Sequence, residues 1–340
     1  MNRWILTAKL CAPAFVLAAA LSAAGCAPLV QRAAVPSAGF TGPRLEPDTF
    51  VSFDGARLGL NRWGPVDGDP WAVIIALHGM NSYARAFHDA APYWAKDGIA
   101  VYAYDQRGYG RSPNRGVWPG GVLLTEDLRT MAALLKARYP HAIIAVVGTS
   151  MGGSVAIEAF ASDRPPAADR LLLFSPEVSG WTNRSLAYRA SVWLAAHVAP
   201  GARLTPPDWL IKRLQASDNT GELADARRDP AMTWAMRPDT FYGLADLSEA
   251  ARRDIRQLKV PTAYFYGQKD RIEPLAATAE AAALLPPGDR TALYADGWHL
   301  LLLDRQAKAA WRDSEAFIRD PASPLPSRAP PIPRPQEAVR

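Results

Sequence analysis

The chain has 340 residues, with 38 Lys plus Arg against 33 Asp plus Glu, a formal net charge of +5. Hydrophobic residues make up 49% and charged residues 21%, ordinary globular proportions that exclude a mainly disordered chain, a fibre and a bundle of membrane spans. So small a charge excess, with no clustered Lys/Arg face, excludes a nucleic-acid partner.

In chain order, Arg3 and Lys9 precede an uncharged apolar run over 10–24 that is too short to span a bilayer comfortably, so 1–25 reads as an export signal. The run ends in Ala23-Ala24-Gly25-Cys26, which resembles the lipobox of bacterial lipoproteins. That resemblance implies lipidation of Cys26 as the first mature residue. It also implies a stable membrane anchor in the bacterial cell envelope and, with Ala27 next, delivery to the outer membrane. Plain secretion after an A-x-A-like site is the alternative. Cys11 leaves with the signal, so neither cysteine can staple the body or hold a metal there. Residues 26–48, with Pro28, Pro36, Pro43 and Pro47, read as a tether.

The body is expected over 49–320. Residues 50–63 alternate around Asp54-Gly55 and predict an antiparallel pair at a sheet edge. Continuous apolar runs follow at 73–77, 99–104, 143–147, 171–174, 262–266 and 291–294, as strands buried on both faces require. A helix is predicted over 126–139. Thr125 caps it, Glu126 and Asp127 lie in its first turn, Lys136 and Arg138 lie in its last, and Pro140 stops it. Leu128, Met131, Ala132 and Leu135 share its buried face. Such alternation predicts an α/β fold with a mostly parallel central sheet and helices on both faces. After Pro176 no strand is expected until about 260, far beyond an ordinary loop. That interval, about 177–258, holds Trp181, Trp193, Trp209 and Trp234 and reads as a helical cap. Residues 321–340, with Pro321, Pro324, Pro326, Pro330, Pro331, Pro333 and Pro335, predict an exposed, disordered tail.

Gly148-Thr149-Ser150-Met151-Gly152 matches G-x-S-x-G between a predicted strand and a helix, the context of a nucleophile elbow. Its glycines keep bulk away from a strained turn. A serine hydroxyl needs a base. The candidates are His78, His88, His141, His197 and His299; His299 follows the last strand and precedes the last helix, where the base belongs. Asp270, after the 262–266 strand, is the carboxylate expected to orient it, with Asp296 and Glu273 as rivals. The backbone N–H groups of Met151 and Met80 are the expected oxyanion-hole donors, Met80 coming from the His78-Gly79-Met80 loop. His78 is expected to support that loop. No H-x-x-x-H pattern occurs, and neither a metal nor a cofactor is implied.

Together these pieces resemble the α/β-hydrolase superfamily over nearly all of 49–320. The nearer likeness is to its monoacylglycerol lipase/lysophospholipase-like group, which includes serine aminopeptidase-like proteins. It is carried by His78-Gly79, Asp105-Gln106-Arg107-Gly108-Tyr109-Gly110-Arg111-Ser112, Gly148 to Gly153, the Asp270 loop and Gly297-Trp298-His299. The Asp105 to Ser112 loop is expected to support the site structurally. The loop His78 to Tyr83 departs from the best-known monoacylglycerol lipases in lacking a further glycine and an acidic-His pattern.

The resemblance and the Trp-rich cap imply a serine ester hydrolase acting through an acyl-enzyme on a single-chain lipid ester, of monoacylglycerol or lysophospholipid type. The membrane, reached through lipidated Cys26, is the other expected partner. The alternative is a serine aminopeptidase or amidase on the same triad, for which Glu222, Asp225 and Asp229 are the cap carboxylates that could receive a substrate amine.

Overall fold

The computed structural model describes residues 27–338, so the expected leader and Cys26 lie outside the described residues. The chain opens with β1 (Arg44–Leu45), β2 (Thr49–Val51) and β3 (Arg57–Trp63). Next come β4 (Ala72–Leu77), a 3-10 helix (Ala84–Phe87), α1 (Ala90–Lys96) and β5 (Ile99–Tyr104). α2 (Gly120–Arg138), β6 (Ile143–Thr149), α3 (Met151–Phe160) and β7 (Arg170–Phe174) follow. Four helices then interrupt the alternation: α4 (Leu186–Val198), α5 (Asp208–Arg213), α6 (Thr220–Arg228) and α7 (Pro238–Asp254). β8 (Thr262–Gly267), α8 (Leu275–Ala282), β9 (Arg290–Tyr294), α9 (Lys308–Arg319) and α10 (Pro335–Ala338) complete the chain.

The strands form one sheet in the order β1-β2-β3-β5-β4-β6-β7-β8-β9. β5 through β9 run parallel, while β1, β2 and β3 are antiparallel to their neighbours. Five of the apolar runs became strands buried on both sides, while the sixth forms the edge strand β9, which buries Ala292 and Tyr294 and leaves Thr291 and Leu293 partly exposed. In β4, Val73, Ile75 and Leu77 join the core formed with Leu128, Met131 and Val155, while Ile74 and Ala76 join Phe87, Trp94 and Phe317. Each fully buried large aliphatic stabilises the fold by about 1.5–3 kcal/mol. The chain winds one way from β4 to β5 and the other way from β6 onward. The loops after β4 and β6 therefore part and leave a crevice at the carboxyl edge of the sheet.

The structure corrects several expectations. The helix expected over 126–139 begins at Gly120. Thr125 caps nothing, because its hydroxyl donates back to the Val122 carbonyl (3.1 Å), and Asp127 is buried against Arg107. The cap expected over 177–258 is shorter. α7 buries Leu247 and Ala251 in the core shared with Val155 and belongs to the body, so the cap ends before Pro238. The described part of the 26–48 tether is docked. Val30 bridges Trp118, the Gln31 N–H donates to the Trp118 carbonyl (2.9 Å), and β1 extends the sheet. The tail over 321–338 is not disordered. The Leu293 N–H donates to the Pro330 carbonyl (2.7 Å), and the Ile332 N–H donates to Thr291 Oγ1 (3.1 Å). Ile332 is 7% exposed within the core. Proline removes a donor but keeps its carbonyl, so a proline-rich segment can still pair along an edge strand.

Candidate active site

Ser150 stands between β6 and α3 with φ 50° and ψ −122°, a conformation an L-residue holds at a cost of about 1–3 kcal/mol. The turn is over-determined by its neighbours. The Ser150 N–H donates to the Phe174 carbonyl (3.0 Å), and the Ser150 carbonyl accepts from Gly153 (2.9 Å) and Glu177 (3.2 Å). A Cβ on Gly148 would lie 2.6 Å from the Gly152 carbonyl oxygen, and one on Gly152 would lie 2.3 Å from the Leu77 carbonyl oxygen. Glycine at both places is what lets the serine project. The loop after β4 presses on it, since a Cβ on Gly79 would lie 3.0 Å from Ser150 Cβ. Met80 follows Gly79 in that loop, and Met151 supplies the first amide of α3, one of the donors a helix leaves unbonded at its start.

The β8 and β9 loops are also in contact. The Lys269 N–H donates to the Gly297 carbonyl (2.8 Å), and a Cβ on Gly267 would lie 2.4 Å from the Gly297 carbonyl carbon. This brings Asp270 to His299: Nδ1–H donates to Asp270 Oδ2 at 2.8 Å, with both side chains buried. The other carboxylate oxygen, Oδ1, accepts from the amides of Ile272 (2.8 Å) and Glu273 (3.0 Å). Asp270 is thereby aimed, and it fixes the imidazole tautomer that leaves Nε2 to accept a proton. Burial lowers the affinity of His299 for a proton. The charge and hydrogen bond of Asp270, with Glu177 and Asp304 beyond, outweigh burial, so its pKa is raised above 6.5.

The remaining histidines are placed elsewhere. His78 is fully buried, with Nδ1–H donating to the Gly79 carbonyl (2.8 Å) and Nε2 accepting from the Gln106 N–H (2.8 Å). Burial, partly opposed by the Gly79 carbonyl and Asp105, lowers its pKa, and both nitrogens are occupied in holding the loop. His88 lies beside Asp89 and Glu222, and His197 stacks on Trp193 with ring centroids 4.3 Å apart. His141 is exposed.

The Asp105 to Ser112 loop supports the site from below. Asp105 accepts from the Ala84 N–H (2.9 Å), the Arg111 N–H (2.8 Å) and Arg111 Nε (2.8 Å), which ties the Met80 loop to the sheet. Arg107 is buried between Asp54 and Asp127 and donates to both.

Of the rival carboxylates, Asp296 is exposed and paired with Lys269 (2.7 Å). Glu273 is fully buried, bonded to Ser179 Oγ (2.5 Å) and the Val178 N–H (3.1 Å). Burial and the adjacent Glu177 push its carboxyl well above the usual range, against the hydrogen bonds from Ser179 and Val178. Glu177 is a residue that sequence reasoning missed. It links the two halves of the site, bonding the Ser150 carbonyl through its N–H and acting on His299 through its charge. The cap acids already have cations: Glu222 holds Arg85 (2.7 Å), Asp225 holds Arg228 (2.5 Å), and Asp229 accepts from the Tyr83 hydroxyl (2.6 Å) with Arg85 at 3.8 Å.

The sequence profile of the family described as "Serine aminopeptidase, S33" matches residues 68–306. The chain is 27% identical over 241 residues to the monoacylglycerol lipase of Mycolicibacterium smegmatis, covering 67% of this chain and 80% of that one. It is 27% identical over 260 residues to the human monoglyceride lipase, covering 74% and 82%. Among solved structures it is similar to a soluble variant of the Saccharomyces cerevisiae monoglyceride lipase, with TM-score 0.66, 16% identity and coverage of 84% and 98%. The Paleococcus ferrophilus monoacylglycerol lipase gives TM-score 0.64, 19% identity and coverage of 78% and 98%. Likeness at those identities is likeness of fold.

Proposed function

The chain belongs to the serine aminopeptidase, S33 family of α/β-hydrolases, and from that premise we propose that it cleaves monoacylglycerol-type lipid esters through an acyl-enzyme on Ser150. Ser150 Oγ attacks the ester carbonyl while His299 Nε2 takes its proton. Asp270 holds the tautomer and stabilises the imidazolium that forms. The Met80 and Met151 N–H groups receive the oxyanion, each such donor being worth about 2.7–4 kcal/mol of barrier in a comparable enzyme. His299 then protonates the leaving alcohol, and water, deprotonated by the same imidazole, releases the fatty acid.

The observation that carries this reading is the buried Asp270–His299 hydrogen bond at the carboxyl edge of the parallel sheet, the edge on which the strained Ser150 turn stands. The names of the relatives support a single-chain lipid ester. The cap acids favour an ester over a free-amine peptide, since Glu222, Asp225 and Asp229 already hold cations. Acylation of Cys26 in a bacterial envelope, outer-membrane destined, belongs to the same proposal and is supported by Ala23-Ala24-Gly25-Cys26. A fluorophosphonate should modify the chain on one peptide, the one holding Ser150, and leave Ser150→Ala unmodified. A labelled Ser150→Ala chain that still releases fatty acid would refute the assignment.

A further inference from the structure

The loops that leave the carboxyl ends of the parallel strands form one edge of the molecule, and the loop from β5 to α2 is a junction on it. The end of the cap and the adjoining α7 are both tied to this loop: Arg115 donates to the Pro230 carbonyl (2.9 Å), and the Thr240 hydroxyl donates to the Gly116 carbonyl (3.1 Å). The N-terminal segment is tied to its next residues. The Gln31 N–H donates to the Trp118 carbonyl (2.9 Å), and Gln31 Nε2 donates to the Val117 carbonyl (2.7 Å). Asn114 donates to Gln31 Oε1 (3.3 Å), and the Ala34 N–H donates to Asp54 (2.7 Å). Between Cys26 and this docked segment stand Ala27, Pro28 and Leu29, each reaching at most about 3.6 Å.

A second observation shares that edge. Among the described residues, the exposed large apolar side chains fall in the N-terminal segment, at the head of α2, and in the cap over 186–214. Leu29 and Val122 belong to the first two places. In the cap, Trp193 is 52% exposed and Trp209 is 65% exposed, beside Leu194 and Val198. The cap and the loop meet through α7, where His197 lies against Tyr242 (ring centroids 5.6 Å) and Trp118 packs on the neighbouring Gly243; exposed apolar area so placed marks an interaction surface, and tryptophan suits a water–lipid boundary.

We propose that residues 30–34 form a clamp that fixes acylated Cys26 at the active-site edge, so that the leaflet holding the anchor covers the apolar face of the cap. This rests on the acylation of Cys26 proposed above. A docked clamp of this kind makes the leash three residues long, where a tether would leave the crevice free to face any direction. The occupant of the cap face is therefore the bilayer, because the chain enters it a few residues from that face.

The test uses the full chain, expressed with its own leader and reconstituted into phosphatidylethanolamine/phosphatidylglycerol vesicles containing monooleoylglycerol. Beside it stands a variant with about twenty Gly/Ser residues inserted between Leu29 and Val30, which lengthens the leash and leaves the clamp and site alone. The insertion should slow hydrolysis of the vesicle-borne ester about tenfold through lowered effective concentration. It should leave the rate on a water-soluble short-chain ester unchanged, and should remove vesicle-dependent amide-exchange protection over 186–214. Equal rates on the vesicle ester, with Cys26 acylated by mass, would overturn the clamp and leave the proposed activity standing. An unacylated Cys26 would overturn anchor and clamp together, with the short-ester rate still reporting on the activity. Protection over 186–214 that tracks protein concentration without vesicles would assign the face to a second copy of the chain and overturn the proposal.

Discussion

At His299 two forces oppose each other. Burial favours the neutral ring, and Asp270 favours the charged one, with the net shift upward from 6.5. The ring must be neutral to accept the Ser150 proton, so kcat/KM should rise with pH along a limb above 6.5. Asp270→Asn removes the opposing charge and the tautomer control. The limb should move down as burial is opposed only by the weaker pull of Glu177 and Asp304, and kcat should fall on the order of 10³–10⁴-fold. A pH–rate profile reads both, and a limb that stays in place would show that Asp270 does not govern the base. The strained Ser150 turn and the Asp270–His299 pair were legible in the sequence because each residue sits at the end of a recognisable strand. Glu177 was not legible. Nothing beside it in the chain marks it, and it meets Ser150 because β7 lies next to β6. Glu273 looked like a rival to Asp270 on proximity alone, yet its carboxyl turns away to Ser179.

Elements were legible where burial was continuous and misread where polar residues have distant partners. All six core strands carried uninterrupted apolar runs, and their observed bounds follow those runs closely. The start of α2 was misplaced because Thr125, Glu126 and Asp127 imitate a helix N-terminus, while Asp127 in fact answers Arg107 across the fold. Burial raises the pKa of Asp127 against the pull of Arg107, and removing the arginine would leave two buried carboxylates facing each other. Arg107→Ala should therefore cost about 3–5 kcal/mol, read as a lowered urea midpoint. A surface-like effect below about 0.5 kcal/mol would contradict the buried pairing. The proline-rich end offers a sharper contrast between sequence and structure. Among the described residues of that end, Ile332 is the large side chain buried in the core, and Ile332→Ala should cost about 2 kcal/mol, at the low end for a buried isoleucine near the surface. A solvated tail would give no change.

For the whole molecule, the alternation of strand and helix was enough to name the fold, since it leaves few ways to cover both faces of a parallel sheet. The cap boundary was not legible, because an amphipathic helix such as α7 has the same pattern whether it packs on a sheet or on a lid. The docking of residues 30–34 was hidden too, being carried mainly by backbone groups and one glutamine. The proposed activity rests on one serine, Ser150. The most direct measurement compares the parent chain with Ser150→Ala for fatty-acid release from monooleoylglycerol, beside cleavage of an aminoacyl-arylamide. The expected result is fatty-acid release by the parent, its loss in Ser150→Ala with the unfolding midpoint retained, and little arylamide cleavage by either. Arylamide cleavage without fatty-acid release, or release that survives in Ser150→Ala, would contradict a serine lipid esterase.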